Sequence, residues 1–143
     1  MLYIKPTYGK MAKEKGGEEF LNNIQNKYSW KLTDLYKNKE TFYEAVKTMR
    51  NNLKDIETYK GKLCESSDNL YQCYALYETL LINFDKIYSY GMFSYHLNMA
   101  DQEGIKLFKE VENLSSEFST ATSFMTPEIT FTDENIINKY LSE

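Results

Sequence analysis

The sequence predicts an all-α fold: an antiparallel bundle of three long helices with short flanking helices. Three observations lead there. Apolar residues recur at spacings of four and three through three long segments, the period that lines one face of a helix. Breakers are scarce: both prolines and four of the 6 glycines fall outside those segments. Strand-like alternation is confined to Ile129-Thr130-Phe131-Thr132, too short to carry a sheet.

Residues 1–17 show no apolar period, and Lys10, Lys13 and Lys15 with Gly16-Gly17 read as a flexible head or cloning remnant. A start at Met11 is an alternative. Residues 18–143 read as a single helical domain. In its first part, Phe20, Leu21 and Ile24 suit a short helix. Tyr28, Trp30, Leu32, Leu35 and Tyr36 follow as a dense apolar cluster, with Thr33-Asp34 as a local turn or cap.

In the first long helix Phe42, Val46, Met49, Leu53 and Ile56 share one face, and Lys60-Gly61 reads as its stop. The second begins after Ser66-Ser67-Asp68. Its main stripe is Leu70, Tyr74, Tyr77, Leu81, Phe84, Tyr88, Gly91 and Tyr95, with Cys73, Leu76, Leu80 and Ile87 beside it. Two adjacent stripes predict a wide buried face and a central position. Gly91 is the expected site of a kink. The third helix, from about Asp101 to Phe124, presents Leu107, Val111, Leu114, Phe118, Ala121 and Met125, widened by Ile105 and Phe108. Thr126-Pro127-Glu128 reads as a restart: a capping hydroxyl, proline at the first helical position, then an acid near the positive helix end. A last short helix is expected from Asp133 to Leu141.

Composition narrows the function classes. The 143 residues are enough for one buried core, and 42% hydrophobic with 27% charged residues suits a globular chain. A net charge of −4 argues against broad attraction to nucleic acid. No run approaches the ~18 apolar residues that span a membrane. Met1 to Pro6 is too short an apolar run for a secretory signal. Cys64 and Cys73 lack a pairing pattern and suit free thiols in a reducing cytoplasm.

Catalytic signatures are missing. The single histidine, His96, shows no ligand spacing with Cys64 or Cys73 and reads as a partly exposed residue near a helix end. There is no H-E-x-x-H, no G-x-S-x-G and no phosphate-binding glycine loop. The carboxylate pairs Glu18-Glu19, Asp133-Glu134 and Glu110 with Glu112 fall on polar faces or at helix starts, where solvation suits them poorly to acid–base work. Among the 13 tyrosines, Tyr74, Tyr77, Tyr88 and Tyr95 are expected in the core, whereas Tyr71 and Tyr90 are candidates for surface contact.

Four segments together resemble oligoendopeptidase F, a family of thimet-oligopeptidase-like zinc peptidases. Trp30-Lys31-Leu32-Thr33-Asp34-Leu35-Tyr36 is similar to its W-x-L-x-D-L-Y opening. Lys60-Gly61-Lys62-Leu63 resembles its K-G-K-L turn, and Lys86-Ile87-Tyr88-Ser89-Tyr90 its K-x-Y-x-Y-A segment. Ser123-Phe124-Met125-Thr126-Pro127-Glu128-Ile129 resembles S-F-x-x-P-E-I/L. Order and spacing agree from about Tyr28 to Leu141. Lys31 stands where an acid is common, Gly91 where alanine is common, and the stretch His96 to Asp101 departs from an aspartate-rich one.

The resemblance implies a structural role for Trp30, Leu32, Leu35, Tyr36, Gly61, Leu63, Tyr88, Tyr90, Phe124, Pro127 and Glu128. It implies no catalytic, cofactor-binding or metal-binding residue in this chain. In the family, zinc is held by H-E-x-x-H and a downstream glutamate in a catalytic domain further along, and short peptides are hydrolysed by zinc-activated water. This chain then supplies scaffold and substrate-channel wall in the cytoplasm, with the missing C-terminal catalytic domain as its partner. Two other readings stand beside it: a free-standing helical module that binds protein or peptide, and a structural homodimer joined through an exposed apolar face. Neither nucleic acid nor membrane is among the expected partners.

Overall fold

Asn38 starts the first long helix by a reciprocal cap. Its side-chain oxygen accepts the Thr41 N–H at 2.9 Å, and the Thr41 hydroxyl oxygen accepts the Asn38 N–H at 3.3 Å. Helix α1 then runs Lys39–Glu57 in the computed structural model, which describes residues 31–142. Helix α2, Ser67–Leu97, is capped by Ser66, whose Oγ accepts the Asn69 N–H at 3.1 Å. Helix α3, Gln102–Thr122, is capped by Asp101, which accepts from Glu103 and Gly104. Two short helices follow, α4 at Met125–Thr130 and α5 at Glu134–Ser142. Among the described residues there is no strand, and the fold is all-α. The head, the helix expected around Phe20, Leu21 and Ile24, and Trp30 lie outside the described residues.

The three long helices touch pairwise. Lys39 reaches Glu103 and Arg50 reaches Glu110 and Glu117, so α1 and α3 run parallel. Phe42 stacks on Tyr90, and Phe84 on Phe118, so α2 runs antiparallel to both. Residues 32–142 belong to one compact unit. Its core takes the expected five side chains of α1, and Leu107, Val111, Leu114, Phe118 and Ala121 of α3. Each valine, leucine, isoleucine, methionine or phenylalanine among them contributes about 1.5–3 kcal/mol when fully buried. Phe108 is half-buried against Tyr95 (ring centroids 5.1 Å apart), while Ile105 is exposed and does not widen the face.

The burial of α2 corrects the expected main stripe. Its buried residues are Cys73, Leu80, Ile87, Tyr90 and Gly91, whereas Tyr74, Leu81 and Tyr88 are exposed. The expected column 74–81–88–95 and the core column 73–80–87–94 flank the same half-buried line, Tyr77 and Phe84, which ends at buried Gly91. Both columns satisfy the four–three period, and α1 and α3 lie on the side of the aliphatic one, leaving the tyrosine-rich column, with its polar hydroxyls, to solvent. Gly91 does not break the helix. A β-carbon there would collide with Val111 Cγ2 and lie 3.1 Å from the Leu107 carbonyl oxygen, so the missing side chain lets α2 and α3 approach closely.

Candidate functional site

Leu32–Asp34 forms one 3-10 turn, the turn anticipated at Thr33-Asp34, with the Leu35 and Tyr36 N–H groups returning to the Leu32 carbonyl at 3.0 and 3.1 Å. Leu32, Leu35 and Tyr36 thereby pack on the core. The Tyr36 ring meets Phe42 and Tyr90 edge-on, at centroid distances of 5.9 and 5.5 Å. Lys86 Nζ lies 5.1 Å from its centroid. Burial raises the pKa of both tyrosines. Tyr90, expected at the surface, is only 7% exposed, because its position on α2 faces Phe42.

A second cluster forms at the other end of α2. Helix α1 ends at Glu57, and the chain turns through residues 58–66 with Gly61 at φ 78°, a conformation that favours glycine. Gly61 therefore serves this turn rather than directly capping α1. The Glu128 carboxylate accepts the N–H of Gly61 and, at 3.2 Å, that of Leu63. Leu63 is fully buried, Asn69 Nδ2 donates to the Lys62 carbonyl, and the Tyr140 hydroxyl donates to the Cys64 carbonyl at 3.2 Å. One acid thus holds a turn that lies 65 residues or more away in sequence. The expected restart changes accordingly. Phe124 occupies the cap position without a side-chain cap, and Pro127 is the third helical residue, where a missing N–H is still tolerated. Phe124 itself is buried.

The structure unites Gly61, Leu63 and Glu128 in this clamp, and Tyr36 and Tyr90 in the first cluster. From Ser67 to Tyr90 the helix runs roughly 35 Å, so the clusters stay apart. Tyr88 joins neither through a ring contact except to Phe84, at 5.9 Å.

The exposed side of α2 is the surface the sequence reading missed. Tyr71 is 70% exposed, as expected, but Tyr74, Leu81 and Tyr88 are exposed with it. Tyr71 and Tyr74 also line a cavity of about 510 Å³ with Leu70, Ile129, Ile137 and Tyr140. The signal was present in sequence as two apolar columns on one helix, but periodicity does not say which column has a partner.

The described residues do not fit a zinc site: no three of His, Cys, Asp and Glu converge on a common point. His96 is exposed in the last turn of α2, with Tyr95 beside it. Burial, with the Glu128 charge adding to it, pushes the Cys73 thiol up to about 11, which suppresses the reactive thiolate. No helix among the described residues is long and apolar enough to cross a membrane.

The fold and its two clusters define an all-α helical module with an exposed aromatic strip along α2. Comparison with known proteins links this module to peptidases. The chain is 23% identical to oligopeptidase PepF of Bacillus subtilis (strain 168) over 149 aligned positions, covering 99% of this chain and 22% of that protein. It is 23% identical to an oligoendopeptidase F homolog of Borreliella burgdorferi, covering 85% of this chain and 20% of the relative. The chain is therefore a distant relative of oligoendopeptidase F, and it spans about a fifth of the length of these curated relatives. No family model matches the chain, and no solved structure matches it.

Proposed function

We propose that this chain is the N-terminal, non-catalytic helical part of an oligoendopeptidase F-like peptidase that cleaves short peptides in the cytoplasm. The observation that carries this reading is coverage: almost the whole chain aligns with one fifth of a peptidase. The two clusters suit the role. The Tyr36–Phe42–Tyr90 contact pins the opening segment, and Glu128 pins the turn between α1 and α2. A wall so braced selects short, unstructured peptides by access, a steric form of specificity. Zinc and the groups that use it belong, on this reading, to the remainder of the peptidase.

The test is assembly. The Bacillus subtilis relative, lacking the region that this chain matches, is mixed with the purified chain and followed by sedimentation velocity. A one-to-one complex is expected. No association would remove the support for a part-of-peptidase role.

A second reading, a free-standing peptide-binding module, draws on the cavity beside Tyr71, Tyr74 and Tyr140. Peptide binding there by the chain alone, with no affinity for the peptidase remainder, would favour it.

A further inference from the structure

Six positions on the open side of α2 repeat at spacings of three and four: Tyr71, Tyr74, Glu78, Leu81, Asp85 and Tyr88. All six are exposed. They form a straight strip of roughly 26 Å with the pattern of a helix-packing seam. Two of the six are acids, and neither Glu78 nor Asp85 takes part in an ion pair among the described residues. An apolar seam holding two carboxylates needs a partner that supplies cations opposite them, because an unpaired buried charge costs several kcal/mol.

A second copy joined strip to strip does not meet that need. None of the six positions is basic, so two such strips would bring four carboxylates into one seam with no cation from either. The relatives supply another source. About four-fifths of each lies outside the region this chain matches. We infer that this strip of α2 seats an amphipathic helix from the remainder of the peptidase, with apolar residues facing Tyr74, Leu81 and Tyr88 and lysine or arginine facing Glu78 and Asp85. The inference rests on the proposed part-of-peptidase role and names the face through which it works. It is recognition by a helix laid along an apolar strip, with charge setting the register.

The assembly experiment is repeated with Leu81→Glu and Asp85→Lys, and with Glu44→Lys on the exposed side of α1 as the control. All three sites are exposed, and helical circular dichroism checks that each variant folds. Binding to the truncated Bacillus relative is expected to weaken at least about tenfold for Leu81→Glu and Asp85→Lys, and to stay unchanged for Glu44→Lys. Wild-type binding that both α2 variants retain would overturn the inference and leave the part-of-peptidase role standing. No binding by the wild-type chain would overturn both. A dimer of the chain alone that Leu81→Glu disperses would assign the strip to a second copy, and so would also overturn the inference.

Discussion

Gly91 lies directly against Val111, and the contact sets how closely α2 and α3 pack. Alanine is the better helix former by about 1 kcal/mol, so Gly91→Ala should stabilise an isolated helix. Here the added methyl meets Val111 and the backbone of Leu107, and overpacking costs about 1–3 kcal/mol. A net loss of about 1 kcal/mol is expected in urea unfolding. Gly91→Ala combined with Val111→Ala should be less destabilised than the sum of the single changes, because the second removes the obstructing carbon. Additive losses would show that the two residues do not press on each other.

Glu128 holds the Gly61 turn by two backbone N–H groups. Glu128→Ala leaves both donors without that acceptor and should cost about 1–3 kcal/mol. Amide hydrogen exchange should show lost protection at Gly61 and Leu63 specifically. Gly61→Ala should cost about 1–2 kcal/mol by a different route, the strain of a β-carbon at φ 78°. Unchanged exchange at Gly61 in Glu128→Ala would contradict the clamp.

Cys73 ties stability to pH. Its folded pKa stands at about 11 against an ordinary 9.0, so between those values the unfolded chain has lost a proton that the folded chain keeps. The contribution is fully present below pH 9 and is lost as pH rises toward 11, about 3 kcal/mol at most. Cys73→Ala should flatten that part of the stability profile. Fast labelling of Cys73 by a thiol reagent in the native protein at pH 8 would argue against the burial that raises it.

Arg50 bridges Glu117 and Glu110 at 2.7 Å each, and these hydrogen bonds hold its guanidinium more firmly charged. The group is more than a third exposed, so solvent screens the pair. Arg50→Ala should cost only about 0.5–1 kcal/mol, less in high salt. Leu80→Ala, at a fully buried position on α2, should cost about 2–5 kcal/mol. Comparable losses from the two would mean that the ion pairs contribute as much as packing at a buried leucine.

Legibility from sequence followed the number of apolar faces. Helix α1 has one, and its five core residues were readable from spacing alone. In α3 the buried line was equally plain, and only Ile105 was misplaced. Helix α2 has two columns that fit the same period, and the choice between them depends on neighbours distant in sequence. That ambiguity moved Tyr90 from the expected surface into the core, and Tyr74 and Tyr88 the other way. Local rules favour an acid such as Glu128 near a helix start, whereas its partners lie across the fold at Gly61 and Leu63. Local propensity carries no information about such long-range pairing.

On the proposed function, this helical chain braces a peptidase and does no cutting of its own. The most direct measurement is zinc content and cleavage of a quenched short peptide by the purified chain after exposure to zinc and exhaustive desalting. No stoichiometric zinc and no hydrolysis above buffer are expected. A chain that keeps one zinc and cleaves the peptide in a chelator-sensitive way would contradict it.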